Sequence, residues 1–187
     1  LSPLACKLMP KENAGDQLKA FGIQLWSVKV ALRKDPHGVL KQLSADGYKQ
    51  IESFEDSKDS RGIFWGMTNT DFRKYMDDLG MTIISSHCDT SKDFEKKVND
   101  AAAIGMKYLL NASVPVQKTM DDYKKIADQF NKNGEICKRA GMRFAYHNHD
   151  HDFNVMDGQP ALEIYLLNTD PDLVDFEMDI YWVVTAG

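Results

Sequence analysis

Three histidines fall within five residues in the run "YHNHDHDF", at His147, His149 and His151. Further along, Asp175, Glu177 and Asp179 alternate with Val174, Phe176 and Met178. Imidazoles and carboxylates are the groups that hold Mn, Co, Zn or Mg, and histidine also moves protons near neutral pH. Neither run has a local metal signature such as HExxH, so a joint site has to be assembled by the fold. On a strand entering a loop, His147 and His149 share a face and Asn148 lies opposite, so one or two of the histidines can serve a single site. Asp150, His151 and Asp152 then read as solvated loop charge. The alternation in residues 173–179 predicts a strand whose three carboxylates cannot face a packed helix layer, because burying them there carries a large desolvation penalty.

The elements that must position these groups announce themselves by a repeated phrase: Gly47-Tyr48-Lys49, Gly80-Met81-Thr82, Gly105-Met106-Lys107 and Gly141-Met142-Arg143. Each glycine stands where a helical pattern ends, a position that often needs a left-handed backbone. Upstream, apolar residues recur at helical spacing: Val39, Leu40 and Leu43 after Asp35-Pro36; Phe72, Tyr75, Met76 and Leu79; Phe94, Val98, Ala101 and Ala102 after the cap candidate Ser91; and Tyr123, Ile126, Ala127, Phe130, Cys137 and Ala140 after Thr119. Downstream lie strand-like runs, "YKQIESF", "MTIISSH", "KYLLNA" and "MRFAYH". With "FGIQLW" at 21–26 and "LVDFEMD" at 173–179, six strands alternate with helices, which predicts βαβ units and a parallel sheet.

An open nucleotide-binding sheet would carry a glycine-rich phosphate loop after its first strand, whereas here "SVKVALRKDP" follows. Strand polarity favours a barrel, in which one parity of each strand packs on helices and the other faces the lumen. Met142, Phe144 and Tyr146 alternate with Arg143, Ala145 and His147 in that way. The fold class is therefore α/β, a (β/α) TIM barrel. The last strand positions read Gln24 or Trp26, Glu52, His87, Asn111, His147 and Asp179, and in a parallel barrel these ends converge on the rim that carries the chemistry. A satisfied hydrogen bond at the rim accounts for Glu52 and His87 equally well. Trp26, Phe54, Trp65 and Trp182 could wall a sugar ring, and core packing explains each as readily.

Composition narrows the classes. A formal net charge of −5 with interleaved signs leaves no basic stripe for nucleic acid. No apolar stretch reaches the ~18 residues of a membrane helix. Cys6, Cys88 and Cys137 are scattered and odd in number, which argues against a disulfide scaffold or structural zinc and for incidental thiols. The chain begins at Leu1, and "LSPLACK" resembles the end of a signal segment reaching a lipoprotein-type Cys6, so export is favoured over a cytoplasmic location. Residues 1–20 are read as a processed or extended segment, and 21–187 as the barrel domain.

The runs "GIQLWS", "GYKQIESF", "YHNHDHDF" and "FEMDIYWVVTAG" resemble the sugar phosphate isomerase/epimerase family, whose barrel is like that of xylose isomerase. The likeness covers residues 21–187 and is specific in the last two motifs. It implies one divalent cation held at the ends of separate strands, with the first two ligand positions on His147 and Asp179. His147 stands where many relatives carry Glu. The third and fourth ligands would then lie beyond Gly187, and the six visible strands, against the ~250 residues of an eight-stranded barrel, make the chain read as truncated after about six βα units.

The implied function is a metal-dependent isomerase or epimerase acting through an enediolate on a keto-sugar, with His147, Asp179 and Glu52 as catalytic candidates. Trp26, His87, Asn111, His149 and Trp182 are the candidates for touching substrate. A lyase or dehydratase of an oxidised sugar, or a carbohydrate-binding barrel without catalysis, are the alternatives. The expected partners are a small carbohydrate and, in a homodimer, a second copy of the chain.

Overall fold

A computed structural model describes residues 20–187. The signal-like start and Cys6 lie outside the described residues. Strand β1 (Gly22–Gln24) runs through a short 3₁₀ turn into α1 (Lys29–Lys34) and α2 (Pro36–Ala45). There follow β2 (Gln50–Phe54), α3 (Asn69–Asp78), β3 (Thr82–His87), α4 (Phe94–Ala103), β4 (Tyr108–Asn111), α5 (Met120–Arg139) and β5 (Arg143–His147). A two-stranded hairpin, β6 (Val155–Met156) and β7 (Gln159–Pro160), precedes α6 (Ala161–Asn168), β8 (Val174–Glu177) and α7 (Ile180–Thr185). The main sheet has the order β1-β2-β3-β4-β5-β8, every pair parallel.

The repeated glycine phrase is a helix stop used four times. Gly47, Gly80, Gly105 and Gly141 all have positive φ, between 64° and 99°. In each case the next amide reaches back five residues, as Met81 N does to Met76 O (2.9 Å) and Met142 N to Cys137 O (2.9 Å). This closes the last helical carbonyls and turns the chain straight into a strand. Starts are equally local: Asp35 accepts from Gly38 N ahead of Pro36, and Thr119 accepts from Asp122 N. Ser91 does not cap α4; that position falls to Asp93, with no side-chain cap, while the Ser91 hydroxyl donates to Asp89.

Strand parity sorts the core from the lumen. Phe144 and Tyr146 of β5 are fully buried and meet Phe130 of α5 at centroid distances of 5.5 and 5.0 Å. Tyr165 of α6 closes this aromatic cluster. Helix α5 sits close enough over the start of β8 that Gly134 has no room for a side chain: a Cβ there would lie 2.5 Å from Leu173 O. On the opposite parity, Arg143 pairs with Asp175 low in the sheet and His147 faces Glu177 at its upper end.

Two expected strands are shorter than the sequence pattern suggests. Trp26 lies on the 3₁₀ turn after β1, and β8 ends at Glu177, leaving Asp179 to cap α7. Among the described residues no helix is long and apolar enough to cross a membrane. Cys88 and Cys137 are buried free thiols, and burial pushes both up, Cys137 to about 12.

Candidate functional site

Four strands of the sheet, β2, β3, β5 and β8, place polar ends at one rim. The β2–β3 pairing carries an irregularity between Ile51 and Glu52, which sets Glu52 opposite Ser85 and Phe54 opposite His87. Ser85 Oγ donates to Glu52 Oε2 at 2.6 Å, fixing the carboxylate, whose other oxygen lies 3.2 Å from His87 Nε2. Across the lumen β8 supplies Glu177. Its Oε2 receives His147 Nδ1 at 2.7 Å and His87 Nε2 at 3.0 Å. The ligating atoms of His87, His147 and Glu177 all lie within 4.8 Å of one another. Asp179 lies next to this cluster, its Oδ2 3.5 Å from His147 Nε2, while its Oδ1 accepts from Tyr181 N and Trp182 N at the start of α7.

Asp179 stands beside His147, as the sequence pattern expects, and Glu177 joins it there. Both carboxylates flank the imidazole, but the strand ends at Glu177, and it is Glu177 that holds both rings. Asn148 ties the two strand ends together, its Oδ1 accepting from Asp179 N at 2.9 Å.

Electrostatics follow from this crowding. Burial lowers the affinity of His87 for a proton, but hydrogen bonds to Glu177 and Glu52 outweigh it and raise the ring to about 9. Burial pushes Glu177 up, and the bonds from His147 and His87 overcome that and hold it below its ordinary range. His149 moves the other way: burial, then the neighbouring His147 and His151, lower it.

A cavity of about 890 Å³ opens over the cluster, lined by Trp26, Glu52, Phe54, His87, His147, His149, Glu177, Asp179 and Trp182 among others. His149 packs its ring 5.2 Å from Trp182, and its Nδ1 is buried without a partner among the described residues. Trp26 is half exposed, with Lys29 Nζ 3.8 Å from its ring centre. Two of the proposed contacts fall elsewhere. Asn111 spends its side chain on Ser113 N and Thr90 and does not line the cavity, whose β4 side is made by Ala112 and Ser113. Trp65 is buried in the core, donating its indole N–H to Ser53 Oγ.

The loop after β5 also departs from expectation. Asp152 is 1% exposed rather than solvated. It accepts from Tyr146 OH (2.8 and 2.9 Å) and from His149 N (2.8 Å), and His151 Nε2 donates to Val114 O. Only Asp150 behaves as exposed loop charge. The signal that would have found Asp152 is Tyr146: a tyrosine on the helix-facing parity of a strand needs a buried acceptor for its hydroxyl.

No family model and no curated protein matches the chain. Solved structures do. A sugar phosphate isomerase/epimerase from Parabacteroides distasonis is 29% identical with a TM-score of 0.76, over 92% of this chain and 69% of that one. A second from the same organism is 30% identical with a TM-score of 0.77, over 89% and 71%. At 12% identity the fold alone is shared with the IOLI protein, solved with a bound zinc atom, at a TM-score of 0.66 over 89% of this chain and 64% of that one.

Proposed function

The chain belongs to the sugar phosphate isomerase/epimerase family, with its xylose isomerase-like TIM-barrel architecture, and on that premise we propose that it is a divalent-metal isomerase or epimerase of a keto-sugar. The observation that carries the reading is the convergence of His87 Nε2 and His147 Nδ1 on one oxygen of Glu177. Two imidazoles and a carboxylate form a donor set that suits a divalent cation, and bonds of ~2.1 Å would set such atoms roughly 3 Å apart, close to the spacing found. His87, His147 and Glu177 would hold the ion, with Asp179 beside them. When bound, it would supply Lewis acidity to a carbonyl and the adjacent hydroxyl.

The chain's own groups do the rest. Glu52, anchored by Ser85 and facing the cavity, is the carboxylate placed to move a proton at carbon. Trp26 and Trp182 line the cavity and, with His149, would limit water around a bound sugar ring. Reprotonation on the same or the neighbouring carbon gives epimerisation or isomerisation, and loss of a leaving group from the same enediolate gives a lyase. His147, at a position where many relatives carry Glu, is the feature that favours the second reading, a sugar-binding barrel without turnover.

The test is a titration of the protein with Mn²⁺ and Zn²⁺ followed by product analysis on a panel of keto-sugars. Binding of one ion that is lost in His147→Ala, with turnover lost in Glu52→Gln, supports the proposal. An ion bound equally well by His147→Ala, or no ion bound at all, sinks it.

A further inference from the structure

One acidic side chain on the cavity wall, that of Glu55, makes no hydrogen bond to the cation cluster. Glu55 follows the last residue of β2, and its backbone is fixed by the bond from its amide to His87 O at 2.8 Å. Its side chain is gripped as well. Oε2 accepts from Lys97 Nζ at 2.7 Å and from Asp89 N at 2.9 Å, and Lys97 donates again to Asp89 O at 2.8 Å. Both side chains are largely buried, 25% exposed for Glu55 and 17% for Lys97. Glu55 lines the cavity, and its Oε1 has no hydrogen-bond partner among the described residues.

A surface ion pair would be free to fluctuate and would contribute little. This one is different because a backbone amide and a lysine lodged against a carbonyl share a single oxygen, so the second oxygen is held still. An acceptor fixed in advance costs a ligand little conformational entropy. The rest of the wall says what kind of ligand group it suits. Glu52, Glu55, Glu177 and Asp179 line the cavity, and no arginine or lysine among the described residues does. Lys97 is spent on Glu55 and Asp89, and Lys29 sits over the Trp26 ring. A phosphate ester carries close to two negative charges and is normally met by arginine, lysine or a cluster of amides. A hydroxyl donates a hydrogen bond to a carboxylate and brings no charge.

We propose that Glu55, pinned by Lys97, is a hydroxyl-accepting subsite, and that the substrate presents an uncharged hydroxyl, not a phosphate, to the β2 side of the cavity. The inference rests on the keto-sugar reading and adds to it a specificity residue and a substrate class.

The experiment measures dissociation constants by calorimetry for a panel of ketohexoses and ketopentoses. The tightest binder is then compared with its singly deoxygenated derivatives and its terminal phosphate ester, against the native protein, Glu55→Gln and Glu55→Ala. The expected result is a loss of roughly tenfold for the parent sugar in both variants, as fits a hydrogen bond to a charged group. One deoxygenated derivative should bind native protein and variants alike, and the phosphate ester should bind native protein more weakly than the parent. A loss by one common factor across all derivatives, no loss at all, or tighter binding of the phosphate ester overturns the subsite and leaves the family reading standing. If native protein binds none of the panel, the sugar reading itself falls, and the subsite with it.

Discussion

If the proposed cation is bound at the His87–His147–Glu177 cluster, His87 sets the pH dependence of its binding. Its hydrogen bonds to Glu177 and Glu52 raise the buried ring to about 9, so near pH 7 roughly one molecule in a hundred carries it neutral. A cation is ligated by the neutral imidazole and has to displace that proton. The apparent affinity should therefore lie about a hundredfold below its plateau at neutral pH and climb roughly tenfold per pH unit towards pH 9. Glu177, held below the ordinary carboxylate range, adds no proton to the exchange in this interval. Calorimetric titration with Mn²⁺ at about pH 6.5, 7.5 and 8.5, in buffers of different ionisation enthalpy, reads both the slope and the protons released, expected to be about one per ion. In His87→Gln the affinity should be weaker and this slope absent. An affinity that stays level across the three pH values, or binding that releases no proton, refutes the reasoning.

The same ring makes a prediction without metal. A pKa raised from 6.5 to about 9 contributes stability that is complete below pH 6.5 and is lost as pH rises through 9, worth about 3 kcal/mol, so urea unfolding of chelated protein should show falling stability over that interval; a rise would contradict it. Glu177→Gln should weaken Mn²⁺ binding by about a hundredfold or more, while Asp179→Asn, which keeps an equally good helix cap, should change stability by less than ~0.5 kcal/mol and Mn²⁺ affinity by less than tenfold. The opposite order, read by the same titration, would return the ligand role to Asp179. Gly134→Ala should destabilise by about 1–3 kcal/mol in chemical denaturation, because the ~1 kcal/mol helix-propensity gain is outweighed by a Cβ placed 2.5 Å from a backbone oxygen. A stabilised variant would mean that α5 and the start of β8 part more easily than their packing implies.

How much of this was legible in the sequence depends on whether a feature is local. The four glycine stops are local: each helix, its stop and the strand after it sit within one stretch of chain, so six parallel strands and their order could be read directly. Parity along a strand is local too, which is why Phe144 and Tyr146 were separable from His147. The choice between Glu177 and Asp179 is not. Both share a parity, and only the register, with the chain turning into α7 two residues later, sets Glu177 directly opposite His147 and Asp179 beside it. His87 and Glu52 likewise become neighbours through a pairing irregularity between Ile51 and Glu52 that no alternation pattern encodes.

Asp152 carries the point furthest, because its surroundings reverse the usual meaning of its residue type. An aspartate in a run of charged residues after a strand is ordinarily solvated, since burying a carboxylate costs several kcal/mol unless donors meet it. Here the donors come from both sides. Tyr146 has its ring in the helix-facing core and donates its hydroxyl to Asp152 in the loop, and His149 offers its amide from the turn. Burial raises the carboxyl above its ordinary value even so, the mark of a group held in place against its preference for water. What this secures is the turn itself: with Asp152 fixed, His149 is carried back over the cavity against Trp182, and the imidazole that the sequence placed beside His147 by parity is kept there by a buried acid six residues beyond the tyrosine that binds it.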